Sequence, residues 1–417
     1  MIFPSRFSAL AKSILFEPLD LASGLLPRRW RAPQDARGIA PWLLLAHGGT
    51  RGLSRRLSEA GIEGLGFSDE VASVDPGFLV QLCADYLAMK KVQEGLPRGW
   101  QPGVDWGPLL ESSWAPVRKA MENNDTRFVD EFFKDMFRND AIAGLWGGTG
   151  MFERFRDADR WTLLCRASQV LSHFLWWRQA YGRDVERVRT VPLGRPWGWK
   201  IKGHLVVEPT LEYDGHAQDI LRLVSEIPNP VVLEIGGGYG GLARQLVRER
   251  PDLAYMGVDL PENAALQAYF LSRALPDRAV ALHANSAPGR IAPGSLHLMP
   301  NWALRDLPKG VATVVVNFRS FAEIDTQGLE AIFGEISRLA PRWIYQENLC
   351  APRGDGLVGI TLSRQPELAQ YRTVRENPSP WLRYGAGSDY ICAQKLQERS
   401  GSGSKALSNL APDVPSK

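Results

Sequence analysis

Cysteine is scarce in this chain of 417 residues: four occur, Cys83, Cys165, Cys350 and Cys392, and no two make a Cys-x-x-Cys pair. That spacing offers neither a zinc set nor a disulfide framework, and it fits a reducing, cytoplasmic compartment. Histidine is nearly as scarce, with six residues and no His-x-x-x-His, so no metal is expected. No apolar run approaches the roughly 18 residues that a membrane span takes. Glu17 and Asp20 follow the apolar start, and no small-residue cleavage site is clear, so no signal peptide is read. Internal repeats are absent. A net charge of +3 is too small for a chain that tracks nucleic-acid phosphates.

What remains is an ordinary soluble composition, 44% hydrophobic and 23% charged, at a length that suggests two or three folding units. Basic residues gather only in residues 1–60, where nine Lys or Arg face four acids among apolar residues. This segment suits peripheral contact with an anionic membrane or an acidic partner, or docking on the chain behind it. Helical spacing follows. Asp75-Pro76 opens a run with Phe78, Leu79, Leu82, Tyr86 and Met89 on one stripe; a second starts near Thr126, and a third covers Trp161 to Trp177. Asp157-x-Asp159 before the third reads as capping rather than as a metal-binding pair. The stretches 145–152 and 194–200 read as glycine and proline breaks.

From Val231 the texture changes to short β-rich runs alternating with helical ones: VVLEI, AYMGVDL, SLHLMP, ATVVVNF, WIYQEN, VGITL and DYICAQKL. This is the pattern of a doubly wound, mostly parallel α/β sheet. The expected organisation is a basic segment (1–66), a helical cap that selects substrate (67–200), the α/β domain (201–396) and a disordered tail (397–417).

The first strand runs into Gly236-Gly-Gly-Tyr-Gly-Gly241 and then a helix. Glycines 236, 238 and 241 satisfy G-x-G-x-x-G, a signal shared by several nucleoside binders. Glu234 separates them: a carboxylate beside the turn repels the pyrophosphate of NAD and suits a cationic, phosphate-free ligand such as S-adenosylmethionine. Asp259 ends the next strand 23 residues after Gly236, where a carboxylate can accept from ribose hydroxyls. The cofactor expected is therefore S-adenosylmethionine.

LEIGGGYGGLA resembles the first motif of class I methyltransferases, and GVDLPENAALQAYFLSRAL, LHLMPNW, VVVNFRSFAEI and WIYQENL resemble the sugar O-methyltransferase family of glycan and polysaccharide biosynthesis. The resemblance covers about residues 190–395. It implies a Rossmann-like class I methyltransferase domain with a terminal antiparallel strand, and a sugar, nucleotide-sugar or glycan acceptor. The family's Gly-Asn-Pro-aromatic-Gly pattern stands here as Gly194-Arg-Pro-Trp-Gly198. Other small hydroxylated metabolites, or a non-catalytic nucleoside-binding role, are the alternatives.

Residues just past the strand ends are the site candidates. The cofactor set is Glu234, Gly236, Gly237, Gly238, Gly240, Asp259, Leu260, Asn301, Trp302 and Asn317, with Trp302 either shielding adenine or packing in the core. Glu323 and His216 are the candidate bases, since methyl transfer to a hydroxyl requires alignment and removal of one proton. Arg319, Ser320, Glu347, Asn348 and a sugar-stacking Trp197 are the candidate acceptor contacts.

Overall fold

A computed structural model describes residues 46–71, 74–285, 287–349, 365–379, 381 and 388–395. Most of the basic segment, the VGITL strand (358–362) and the tail from Gln397 lie outside the described residues.

The first half is helical around a small sheet. Helix α1 (Gly49–Ala60) leads into strand β1 (Ile62–Phe67), followed by α2 (Pro76–Glu94), α3 (Trp106–Glu111), α4 (Ala115–Glu122), α5 (Thr126–Lys134), α6 (Thr149–Arg156) and α7 (Arg160–Tyr181). The start signals act as expected: Asp75, Asp125 and Asp159 each accept a backbone N–H of the first turn. Asp159 is thus a cap, and Asp157 pairs with Arg156.

The stretch 194–200 corrects the sequence expectation of a break, because Trp197–Ile201 is strand β2, pairing with β1 and with β3 (His204–Val206) in an antiparallel sheet. Its alternating Trp197, Trp199 and Ile201 are buried. A side chain at Gly198 would meet the Val206 carbonyl oxygen at 2.3 Å, so the glycine that suggested a break permits close strand pairing. This sheet takes strands from both sides of the expected boundaries at 66 and 200.

The second half is the doubly wound unit. In chain order it comprises α8 (Pro209–Leu223), β4 (Val231–Ile235), α9 (Gly241–Glu249), β5 (Ala254–Asp259), α10 (Pro261–Ala274), β6 (Val280–Leu282) and β7 (Leu296–Pro300). It continues through β8 (Val314–Phe318), α11 (Thr326–Leu339), β9 (Trp343–Leu349), β10 (Tyr371–Pro378) and β11 (Ser388–Lys395). The strand order is β10-β11-β9-β8-β4-β5-β7-β6, parallel from β9 to β6, with β11 antiparallel to both its neighbours. The sequence pattern missed two strands: β6 is three half-buried residues, and β10 is an edge strand of mixed polar composition, so neither carries a continuous apolar run. The chain winds outward from β4 through β5 to the edge strand β6, steps back one place to β7, then crosses to the other side of β4 as β8. That reversal opens a crevice beyond the carboxyl ends of β4 and β8.

Helix α10 joins the halves. Nearly all its residues up to Leu271 are buried, because it packs on β5 and β7 on one side and on α2 on the other. Its Glu262, fully buried, accepts from the Tyr86 hydroxyl (3.1 Å) and faces Lys90 (3.1 Å) and Arg118 (3.3 Å). Glu262→Ala is expected to destabilise the protein by about 3 kcal/mol, since Lys90 and Arg118, both mostly buried, lose the buried carboxylate between them, and the carboxylate that Arg118 keeps, Glu111, is exposed. A urea-unfolding midpoint within error of the parent would show that this anchor does not hold the halves together.

Candidate active site

Strand β4 ends at Ile235, and Gly236 turns the chain with φ 74°. A Cβ at Gly236 would lie 2.1 Å from Ser320 Oγ, so the segment after β8 rests directly on the glycine turn. Gly238 N–H donates to Asp259 Oδ2 (3.0 Å), tying the turn to the end of β5. Gly237 and Gly240 pack closely over Gln267 and face inward.

Beyond Gly236 lies an open cleft. Its floor is Ile235, Gly236, Val258, Asp259 and Leu260; Asn301, Ser320, Glu323, Ile324 and Ile332 form one wall, and Gly99, Gln101, Gly103 and Trp106 come from the helical half. Among the described residues two carboxylates line it, and no Lys, Arg or His does. Asp259 Oδ1 accepts from the Leu260 N–H (2.7 Å) and Asn263 (2.9 Å), while burial raises its pKa to about 6. Glu323 accepts from the Trp106 indole N–H (3.0 Å), and burial raises it to about 7. Two groups that titrate near neutrality therefore face the same space.

Other expected residues lie elsewhere. Glu234 is 3% exposed and turned beneath the loop, where its carboxyl accepts from Tyr255 O–H at 2.6 Å. Burial pushes its pKa up to about 8, so at pH 7 it is mostly neutral and presents no charge to a ligand. The carboxylates that do line the cleft are Asp259 and Glu323. Trp302 packs in the core. Trp197 is buried against Trp146 and Phe155 and donates to the Phe137 carbonyl (2.7 Å), so it is no sugar platform. Asn317 donates to the Ile235 carbonyl (2.7 Å) and accepts from Asn348 (2.8 Å), a buried brace between strand ends.

The raised pKa of Glu234 has a testable consequence. A carboxyl whose pKa is higher folded than unfolded favours the native state at low pH, and that contribution fades as pH rises from about 4.5 through about 8. Glu234→Gln is expected to flatten the decline in stability between pH 5 and 8, and to leave the variant the more stable chain above pH 8. Parallel melting curves across that range would discard the claim.

A second polar group forms beside the cleft. His216 and Glu212 on α8 meet Glu347 on β9, with His216 Nε2 3.8 Å from Glu212 and 3.6 Å from Glu347. Arg319, expected to meet substrate, instead pairs with Glu212 (2.5 Å) and Glu347 (3.3 Å). Burial opposes the Glu212 charge, but Arg319 and His216 hold its pKa down at about 2, while burial raises Glu347. Neither His216 nor Glu347 lines the cleft, so of the two expected bases only Glu323 faces it. The sequence missed Gln101, Gly103 and Trp106, which reach the site from more than 120 residues away in the chain, and it missed Glu212, whose partners are scattered along the chain.

No family model matches the chain, and no curated protein does. Among solved structures, magnesium protoporphyrin IX methyltransferase (ChlM) from Synechocystis PCC 6803 with bound SAM aligns over 45% of this chain and 81% of its own, at 14% identity and TM-score 0.32. Geranyl diphosphate C-methyltransferase from Streptomyces coelicolor A3(2), in complex with Mg2+, geranyl diphosphate and S-adenosyl-L-homocysteine, aligns over 45% and 81% at 15% identity and TM-score 0.32. The fold class rests on the sheet itself: the doubly wound order with one reversed strand is the Rossmann-like class I methyltransferase arrangement.

Proposed function

We propose that this chain is an S-adenosylmethionine-dependent O-methyltransferase that methylates a hydroxyl of a sugar or glycoconjugate. The carrying observation is the cleft lining: Asp259 and Glu323 supply negative charge, and among the described residues no cationic side chain lines it to hold phosphates. Such a site favours a nucleoside bearing a sulfonium and an ammonium over a dinucleotide with two phosphates. Asp259, Leu260 and Asn301, which line the cleft past the ends of β5 and β7, are the proposed contacts to the ribose and its base. The acceptor class rests on the sequence resemblance over residues 190–395.

In the reaction the acceptor oxygen attacks the methyl carbon as the carbon–sulfur bond breaks, giving the methyl ether and S-adenosylhomocysteine. The hydroxyl proton passes to Glu323. The protein's part is alignment, exclusion of water and that one proton transfer.

Calorimetry with S-adenosylmethionine, S-adenosylhomocysteine and NAD tests the cofactor. The sulfonium ligand is expected to bind more tightly than NAD and to release protons at pH 6.5, because a cation stabilises the ionised forms of Asp259 and Glu323. Tighter NAD binding overturns the proposal. A panel of nucleotide sugars and glycans then tests the acceptor; cofactor binding without S-adenosylhomocysteine formation would favour the regulatory alternative.

A further inference from the structure

We infer that Glu212, His216 and Glu347 form a binding site for one divalent transition-metal ion beside the cleft. The inference stands apart from the methyl-transfer proposal, because it concerns side chains that do not line the cofactor space.

Glu212 and His216 are four residues apart on α8, so they share one helix face. Glu347 reaches them from β9, where it pairs in register with Phe318, the last residue of β8. One ligand atom from each lies within 4.8 Å of the others. The imidazole Nε2 is 3.6 and 3.8 Å from the two carboxylates, too far for hydrogen bonds, yet an ion at about 2.0–2.2 Å from each atom bridges such gaps. His216 and Glu347 are 1% and 0% exposed, so water cannot readily supply the coordination that bulk solvent would.

The surroundings orient these groups as outer partners orient metal ligands. His216 Nδ1 lies 3.1 Å from the Tyr345 hydroxyl, which itself reaches Asp219 (3.4 Å). Nδ1 thus sits on the hydroxyl side of the ring and Nε2 on the carboxylate side. Ser379 Oγ donates to Glu347 Oε2 (2.5 Å).

Arg319 is the competitor. Its guanidinium neutralises Glu212 and Glu347, and its side chain is 42% exposed, so it has an outward path that the three buried ligands lack. An ion and Arg319 compete for the same Glu212 oxygen and for the same Glu347 carboxylate, so they exclude one another. Two carboxylates and one imidazole suit Mn2+ or Zn2+ better than Mg2+, which favours an all-oxygen shell.

The experiment titrates Mn2+ into chelator-treated full-length protein and follows free Mn2+ by electron paramagnetic resonance. One Mn2+ per chain, displaced by Zn2+, is expected. His216→Gln and Glu347→Gln are each expected to weaken binding at least tenfold, and Arg319→Gln to tighten it severalfold. A salt-bridge cluster with no metal role predicts the opposite for the arginine variant: no Mn2+ uptake and lower thermal stability. Absence of binding in both the parent and Arg319→Gln overturns the inference, as does binding that His216→Gln leaves unchanged. S-adenosylmethionine calorimetry on the same samples reads the cofactor proposal separately, so a chain that takes Mn2+ without the cofactor sinks that proposal alone.

Discussion

Glu323→Gln is expected to cut methyl transfer by about 10²–10⁴-fold while cofactor affinity changes by less than about tenfold. The carboxyl lines the cleft together with Asp259, Leu260, Asn301 and Ser320, and glutamine preserves its size and its contact with Trp106 but cannot take a proton. The parent enzyme should also show a pH signature. Burial raises Glu323 to about 7, and the ionised form is the base, so kcat/KM should rise with pH and level off above about 7. The Trp106 N–H stabilises the ionised form, so Trp106→Phe should move that limb to higher pH. S-adenosylhomocysteine release is the measurement. Full turnover in Glu323→Gln, or a profile flat from pH 5.5 to 8.5, would remove this residue from the chemistry.

The features legible in the sequence were those with local causes. The caps at Asp75 and Asp159 act over three residues, and the buried strands VVLEI, AYMGVD and VVVNF are continuous apolar runs. Asp259, Leu260, Asn301, Ser320 and Glu323 could be placed because topology sends residues just past parallel strands to one edge. Glu234 was misread for a physical reason: its position beside the glycine turn is apparent from sequence, but the Tyr255 hydroxyl that draws it under the loop is 21 residues away. Trp197 shows the same limit. A tryptophan in a glycine-proline stretch reads as exposed until Trp146, Phe152 and Phe155 are folded around it. The Glu212, His216 and Glu347 group spans more than 130 residues and carries no contiguous signature. Its E-x-x-x-H portion alone resembles any solvated helix face.

The glycine turn permits the second large prediction. Gly236→Ala is expected to weaken S-adenosylmethionine binding by more than about a hundredfold, through two separable effects. A φ of 74° costs an alanine roughly 1–2 kcal/mol. The new methyl group would also lie 2.1 Å from Ser320 Oγ and 2.4 Å from Ser320 Cβ. Rotating the hydroxyl away relieves only the first contact. The serine backbone must move, and it carries the turn that presents Glu323 to the cleft. Ser320→Gly removes both atoms, so the double variant Gly236→Ala/Ser320→Gly should recover most of the lost affinity except the part due to backbone strain. Gly289→Ala, at a position with open space around it, serves as the neutral control. Equal losses in the single and double variants would assign the whole effect to φ and refute close packing between the β4 turn and the segment after β8.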